Sequence, residues 1–212
     1  MDSFAVGVLA LQGDVSEHVA ALEEAARRLK RRVHVKEVRS DHELEGIGAL
    51  VIPGGESTTL QKLCEREGML KKLRTVPNIF GTCAGAIFLA KSIRHAVAGQ
   101  KTLALMDIEA DRNAYGRQTA SFEVDITTAF GPIRAVFIRA PRIRTAGKGV
   151  KVLAWRDGEI LACEQKTKDH YYLATAFHPE LTTTTFHEHF LTRALKPLAP
   201  VKKHATLLGT TE

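Results

Sequence analysis

The sequence lacks any apolar run that approaches the roughly 20 residues needed to span a bilayer. The opening residues Met1, Asp2 and Ser3 do not begin the basic stretch and apolar segment that are typical of a secretory signal. Neither membrane insertion nor export is predicted from these features. We therefore expect a cytoplasmic protein.

Cysteine is also scarce, with three widely spaced residues, Cys64, Cys83 and Cys163. An odd number of cysteines without a Cys-x-x-Cys pair indicates neither a disulfide framework nor a cysteine zinc site. Cys64 lies in an apolar helical pattern and Cys163 in an apolar strand pattern, which predicts that both are buried in the core. Cys83 is therefore the remaining candidate for a reactive thiol.

The length and charge favour an ordinary globular domain. With 212 residues, 44% of them hydrophobic, the chain is long enough for one compact domain and too short for two of usual size. The formal net charge of +6 is scattered, and its first dense run, 27–32, ends a predicted helix, where cations usually form a solvated face. No helix-turn-helix, finger spacing or aromatic-and-basic pattern accompanies the charge, so nucleic acid is not an expected partner.

Strands and helices alternate in the first half of the chain, which is typical of a parallel sheet covered on both faces. The apolar runs 4–11, 33–38 and 49–52 predict strands. Helical spacing follows the first run, where Asp14 or Ser16 is placed to cap the helix, and recurs over about 58–65. A further apolar helix is expected from the turn after residues 78–80 through Ile93.

The second half is richer in strands, with the apolar patterns 119–126, 133–138, 150–155, 160–164 and 171–177. A last helix is predicted over about 184–195. We expect one domain over residues 1–196, followed by a basic and flexible tail over 197–212.

The segment from Gly81 to Gly85, with sequence GTCAG, falls between an apolar strand and an apolar helix. Small residues on both sides of Cys83 fit a nucleophile elbow, a tight turn that exposes the reactive atom. The start of the following helix would favour the thiolate, which is the reactive form. The alternative is a buried cysteine in a glycine-rich turn.

A thiol nucleophile needs a base and a group that orients the base. Residues 177–180, with sequence FHPE, offer His178 and Glu180 at the end of an apolar strand, and Pro179 stiffens the link between them. His187 and His189 form no zinc motif, because residues two apart on a helix do not share a face. We expect those two histidines to face solvent.

The loop 53–59, with sequence PGGESTT, follows a strand and opens a helix. It has neither the ending of a phosphate-binding P-loop nor the three-glycine dinucleotide fingerprint, so a nucleotide site is not predicted. Backbone N–H groups at its glycines would instead suit a developing oxyanion.

Six segments together resemble the glutaminase subunit of pyridoxal phosphate synthase, over about residues 4–196. The cysteine elbow and the His-x-Glu pattern are shared by class I glutamine amidotransferases in general, whereas GGESTT, RNAYGRQ and IRAP are specific to this branch. The segments are 7–13 (GVLALQG), 53–59 (PGGESTT), 81–85 (GTCAG), 112–118 (RNAYGRQ), 137–141 (FIRAP) and 177–181 (FHPEL). The basic tail after Pro197 departs from the family pattern.

The resemblance implies a three-layer α/β fold with a mostly parallel central sheet, helices on both faces and a strand-rich second half. It also implies hydrolysis of L-glutamine to L-glutamate and ammonia, with no cofactor and no metal. The ammonia would pass to a separate synthase (lyase) subunit in a large hetero-oligomer that makes pyridoxal phosphate.

The resemblance assigns roles to individual residues. Cys83 would be the nucleophile, His178 the base and Glu180 the residue that orients His178. The oxyanion hole would use backbone N–H groups of Gly55 and Ala84. The glutamine-binding residues would be Gly55, Glu56, Ser57, Arg112, Ile138 and Arg139.

Two alternatives remain at this point. The first is the glutaminase subunit of another amidotransferase, such as imidazole glycerol phosphate synthase, which would keep the triad and change the acceptor. The second is a non-catalytic regulatory subunit on the same scaffold, since a fold does not determine a function.

Overall fold

The computed structural model describes residues 4–112 and 121–196. Twelve strands and five α-helices lie within these residues. The strands are β1 (Phe4–Leu9), β2 (Val33–Val38), β3 (Ala49–Ile52), β4 (Asn78–Thr82), β5 (Ala90–Arg94), β6 (Met106–Asp111), β7 (Phe122–Thr128), β8 (Gly131–Phe137), β9 (Arg142–Ala146), β10 (Val150–Arg156), β11 (Glu159–Lys166) and β12 (Tyr171–Thr175). The helices are α1 (Val15–Arg28), α2 (Ser57–Arg66), α3 (Leu70–Leu73), α4 (Ala84–Leu89) and α5 (Thr185–Ala194), with single 3₁₀ turns at His42–Leu44 and Pro179–Leu181.

The main sheet runs in the order β2-β1-β3-β4-β12-β11-β10-β7-β8. The first five strands are mutually parallel, and the strands from β12 to β8 pair antiparallel. The strands β5, β6 and β9 form a branch that joins the main sheet where β9 pairs with β11. Ligand sites in such sheets lie beyond the carboxyl ends of the parallel strands, which here include the ends of β3, β4 and β12.

Helices cover both faces of the parallel part. Alternate residues of β3 point to opposite sides, so that Ala49 and Val51 pack with α1 and α5 while Leu50 and Ile52 pack with α2, α3 and α4. Each face therefore has its own apolar cluster. The predicted three-layer α/β architecture, with a strand-rich second half, is confirmed.

Most predicted strands and the last helix are confirmed within a few residues, but the helix expected through Ile93 is wrong beyond Leu89. Residues Ala90–Arg94 form β5, which pairs with β6. All six residues of α4 are buried, so the local pattern has no polar face to mark where the helix ends. The strands β6 and β9 were also not predicted from the sequence.

Cys64 and Cys163 are fully buried, as predicted. No helix within residues 4–112 or 121–196 has the length and apolarity to cross a membrane. The tail predicted over 197–212 lies outside the described residues, as do positions 113–118 of the RNAYGRQ segment.

Candidate active site

Cys83 stands at the sharp turn between β4 and α4. Its φ of 48° lies in the left-handed region, which residues other than glycine rarely adopt. The turn is fixed because the Cys83 amide donates to the Thr175 carbonyl of β12 at 2.8 Å. A Cβ atom on Gly85 would lie 2.1 Å from the Ile52 carbonyl oxygen, so only glycine permits this close approach of α4 to β3. These constraints are typical of a strained nucleophile elbow.

His178 and Glu180 follow β12 and meet through one 3₁₀ turn. The distance between His178 Nδ1 and Glu180 Oε1 is 2.7 Å, and 3% and 0% of the two side chains are exposed. The His178 amide donates to the Val136 carbonyl at 2.9 Å, which anchors the turn to β8. The interaction of His178 with Cys83 is left to Nε2, a buried atom without a hydrogen-bond partner among the described residues.

The surroundings of His178 favour its protonated form. Burial alone lowers the pKa of an imidazole, but the neighbouring Cys83 and the hydrogen-bonded Glu180 raise the pKa of His178 to about 10. Burial raises the pKa of Glu180, yet the hydrogen bonds from His178 and His18 hold it far below its usual range. His178 therefore keeps its proton at neutral pH, and Glu180 is ionised beside it.

A second carboxylate touches the same imidazole. Asp14 Oδ2 lies 3.1 Å from His178 Nδ1. Asp14 is the residue before α1, as expected for a cap, but its side chain makes no capping hydrogen bond. The sequence does not predict this contact, because the preference of aspartate for helix caps already accounts for Asp14 at this position.

Asp14, His178 and Glu180 place ligand atoms within 4.8 Å of one another, a set that could hold a metal ion. In this geometry the Nδ1 atom of His178 already has its hydrogen bond to Glu180. We interpret the group as one that orients the imidazole ring.

A small cavity of about 120 Å³ opens in front of the Cys83 side chain. Six of the residues singled out from the sequence line it together with Ile87, and they are Gly55, Glu56, Ser57, Cys83, Arg112 and Arg139. Ile138 borders the same site, because the Cys83 thiol lies 3.8 Å from its carbonyl oxygen. Ala84 is the first residue of α4, so its amide N–H has no partner within the helix.

Glu56 organises one wall of this cavity. Its carboxylate accepts hydrogen bonds from the amides of Thr58 at 3.1 Å and Thr59 at 2.7 Å, and it pairs with Arg112 Nη2 at 2.5 Å. Burial raises the pKa of Glu56, but the hydrogen bonds from both threonines outweigh burial and lower the pKa to about 2. Arg112 therefore supports an ionised carboxylate.

Arg139 differs from Arg112. Within residues 4–112 and 121–196 it forms no ion pair, and its φ of 45° places it in the strained left-handed region. A guanidinium that lines this cavity and is not paired with a carboxylate among the described residues is a suitable partner for the charged end of a small ligand. Arg112 is thus paired with a carboxylate of the cavity wall, whereas Arg139 is not.

The prediction that His187 and His189 face solvent is wrong. His187 is fully buried, and its Nε2 lies 2.9 Å from His18 Nδ1. His189 Nε2 lies 2.7 Å from Glu164 Oε2, with 15% of its side chain exposed. The buried residues of α5 recur at the spacing of a single helix face, and His187 lies on that face beside Phe186 and Phe190. By contrast, Arg27 and Arg28 are exposed and pair with Glu24, as the solvated-face interpretation predicts.

The three thiols should differ sharply toward iodoacetamide. We expect native protein near neutral pH to be modified at Cys83 only, because this thiol lines the cavity beside protonated His178, a setting that is typical of reactive cysteines. Burial raises the pKa of Cys64 and of Cys163 to about 12, so both stay protonated. Peptide mapping by mass spectrometry measures the sites, with denatured protein as the control in which all three react. Equal labelling in the native state would contradict the assignment.

Comparison with known proteins gives a consistent result. The model of the family described as "SNO glutamine amidotransferase family" matches residues 8–196 of this chain. Pyridoxal 5'-phosphate synthase subunit PdxT of Pyrobaculum neutrophilum is 46% identical over 198 residues, which cover 89% of this chain and 98% of that protein. The protein of the same name from Desulforamulus reducens is 47% identical over 194 residues, which cover 88% and 97%. A crystal structure described as a glutamine amidotransferase superposes with a TM-score of 0.76 at 44% identity and covers 89% of this chain and 98% of its own.

Proposed function

This chain belongs to the SNO glutamine amidotransferase family, and from that premise we propose that it hydrolyses L-glutamine to L-glutamate and ammonia through Cys83, His178 and Glu180. The observation that carries the proposal is the 2.7 Å contact of His178 Nδ1 with buried Glu180, which leaves Nε2 of the same imidazole without a hydrogen-bond partner among the described residues and free to serve Cys83. This is the order of groups that nucleophilic catalysis needs.

The first half of the reaction forms a thioester. The Cys83 thiolate attacks the side-chain carbonyl carbon of glutamine, and the amide oxygen becomes an oxyanion. Amide N–H groups of Gly55 and Ala84 stabilise this negative charge. Protonated His178 then gives its proton to the amide nitrogen, the carbon–nitrogen bond breaks, and ammonia leaves.

The second half restores the enzyme. Neutral His178 removes a proton from water, and the resulting hydroxide attacks the thioester carbonyl. The carbon–sulfur bond breaks, glutamate leaves, and Cys83 is again a thiolate beside protonated His178. Glu180 stays ionised throughout and holds the imidazole with Nε2 toward the sulfur.

Arg139 is proposed to bind the α-carboxylate of glutamine, while Glu56, ionised and held by Arg112, faces the α-ammonium group. Ser57 and the Ile138 carbonyl add polar contacts at the cavity wall. Opposite charges at the two ends of the wall favour a free amino acid over a peptide, whose termini carry no such pair.

The arginine assignment predicts a strong effect of a small change. Arg139→Lys should raise the KM for glutamine by about tenfold or more, because an ammonium cannot make the two-point contact of a guanidinium. Arg112→Lys should also weaken turnover, through loss of the support of Glu56. Steady-state kinetics measures both, and Arg134→Lys, at an exposed ion pair on β8, is the control. Wild-type KM and turnover in both variants would place these arginines outside the site.

We further propose that the ammonia passes to a pyridoxal phosphate synthase subunit, with which this chain forms a large hetero-oligomer. The names of the relatives from Pyrobaculum and Desulforamulus support this acceptor. A cytoplasmic location is part of the proposal, because a catalytic thiol is preserved where cysteines are kept reduced.

The isolated chain should be a poor glutaminase that becomes active on binding the synthase. The Gly54-Gly55 turn is the proposed switch: Gly55 has a φ of 118°, and a Cβ atom there would lie 2.8 Å from Gln12 Nε2. A peptide plane at this turn can reorient at low steric cost, and one missing oxyanion donor lowers turnover by about 100- to 1000-fold.

The experiment measures glutamate and ammonia formation by the chain alone and with saturating synthase, and Gly55→Ala should blunt the stimulation. Full activity of the isolated chain, unchanged by the synthase, would contradict the coupling. Stimulation by the cyclase subunit of imidazole glycerol phosphate synthase instead would favour the other amidotransferase. Absence of hydrolysis under every condition would favour a regulatory subunit.

A further inference from the structure

A buried chain of polar groups continues from Glu180 away from the cavity. His18 of α1 places its Nε2 atom 3.4 Å from Glu180 Oε1 and 3.1 Å from Thr82 Oγ1. On its other side, His18 Nδ1 lies 2.9 Å from His187 Nε2 of α5. Both histidines are fully buried. Four separate elements, α1, β4, the 3₁₀ turn and α5, are therefore joined through one imidazole.

Two adjacent imidazoles are unusual in an apolar setting. The ring of Phe80 lies edge-on to both histidines, and His187 Nδ1 has no hydrogen-bond partner among the described residues. Burial, with the nearby charge of His18 as a smaller cause, lowers the pKa of His187 to about 3, so this ring is neutral. A pair of apolar side chains would fill the space between α1 and α5 without the cost of desolvation. The polar pair thus calls for a role beyond packing.

The contacts of His18 define which of its ring nitrogens donates a hydrogen bond. Glu180 is ionised and accepts hydrogen bonds only, so His18 Nε2 carries a proton and donates toward Glu180 and Thr82. The neutral ring of His187 completes the opposite side of His18 at Nδ1. Because His187 Nε2 can donate to a neutral His18 or accept from a charged one, it holds the His18 ring in either state.

Glu180 needs such a partner. Its Oε1 atom serves both His178 and His18, while its buried Oε2 atom has no hydrogen-bond partner in the part of the chain that the structure describes. Without His18, the carboxylate would be held from one side only and could rotate away from His178. Thr82 directly precedes Cys83, so the same ring also links the orienting carboxylate to the nucleophile elbow.

We propose that His18 is a positioning residue, which holds Glu180 in line with His178 Nδ1 and ties it to the elbow through Thr82, with His187 fixing the His18 ring. This inference rests on the proposed function, because it acts through the same three residues. Supporting groups keep reacting side chains in productive geometry. The groups that support metal ligands are typically worth about 10- to 100-fold in affinity or activity, and we expect the same order here.

Two substitutions of His18 separate the contacts of its two ring nitrogens. In His18→Gln the amide nitrogen reaches the place of Nε2 and preserves the contact with Glu180 and Thr82. In His18→Asn the shorter amide reaches the place of Nδ1 and preserves only the contact with His187. We expect His18→Asn to lower kcat for glutamine by about 10- to 100-fold with KM unchanged, and His18→Gln to remain within about threefold of wild type. His42→Asn, at a side chain that is 84% exposed, is the control.

A double-mutant cycle tests whether His18 acts through Glu180. The rate of Cys83 modification by iodoacetamide is measured in the isolated chain for His18→Asn, Glu180→Gln and the double variant. If His18 works through Glu180, adding His18→Asn to Glu180→Gln changes the rate little. Fully additive effects, or equal rates for His18→Asn, His18→Gln and wild type, would overturn the inference.

The substitution His187→Phe is a second test, which removes the contact with His18 and preserves the packing against Phe80. We expect it to fold, by circular dichroism, and to lower kcat several-fold with KM unchanged, whereas wild-type kcat would contradict the role of His187. If wild-type protein with synthase releases no ammonia, the proposed function fails, and the modification rates still decide the positioning role. If wild type is active and the variants of His18 and His187 match it, only the present inference fails.

Discussion

Replacing Cys83 with alanine is expected to abolish ammonia release from glutamine while the fold remains intact. The chemical step requires a sulfur–carbon bond, and no hydroxyl or thiol in the cavity wall stands at the elbow to replace it. Removal of a nucleophile lowers turnover by on the order of 10⁶-fold in a comparable protease triad, so the residual activity should fall below detection.

The fold should tolerate this change because the Cys83 thiol, apart from its interaction with His178, makes only a long contact, 3.8 Å, with the Ile138 carbonyl. Alanine adopts the same strained backbone conformation no less easily than cysteine. Circular dichroism and thermal unfolding measure the fold, and coupled detection of glutamate measures the activity. Cys163→Ala is the matched control: Cys163 is another buried thiol, lies outside the cavity, and should leave turnover unchanged. Substantial turnover by Cys83→Ala would exclude thioester chemistry at this residue.

The losses of turnover caused by His178→Asn and by Glu180→Gln should differ in size. We expect His178→Asn to lower kcat by on the order of 10⁶-fold, since the proton can then be neither given to the leaving amide nitrogen nor taken from water. Glu180→Gln should cost roughly 10⁴-fold, because a carboxylate that orients the imidazole does not itself transfer the proton. Asp14 lies 3.1 Å from the same nitrogen and should limit this second loss.

The reactivity of the Cys83 thiol tests the roles of His178 and Glu180 without any substrate. In His178→Asn the cation beside Cys83 is lost, so modification of Cys83 by iodoacetamide at neutral pH should slow. Glu180→Gln combined with Asp14→Asn should approach the behaviour of His178→Asn more closely than Glu180→Gln alone. Small and equal losses of turnover in the single variants would rule out the triad as the catalytic unit.

The local sequence predicts much of this arrangement. Apolar runs predict β1 to β4 because strands buried on both faces read as continuous hydrophobic stretches. The spacing of small residues around Cys83 predicts a tight turn, and His178 and Glu180 are close in sequence, so their contact needs one turn only. The edge at which Cys83 and His178 meet follows from the parallel order of β4 and β12.

The remaining features depend on contacts between distant parts of the chain. His18 and His187 are 169 positions apart, and neither position has a local pattern that predicts its partner. Asp14 reads as a helix cap, while its carboxylate reaches a residue beyond β12. The strand β5 was expected to be helical because its pairing with β6 is visible only in the folded sheet.

The most direct measurement uses a glutamine-like electrophile, the diazoketone 6-diazo-5-oxo-L-norleucine, with intact-mass and peptide mass spectrometry of the chain bound to its synthase. A catalytic Cys83 predicts one adduct per chain, located on the peptide that contains Cys83, with loss of glutamine hydrolysis in proportion to labelling. Excess L-glutamine should protect the thiol, and Cys83→Ala should take up no label. Stoichiometric labelling of Cys64 or Cys163, or full hydrolysis by protein labelled at Cys83, would contradict the account.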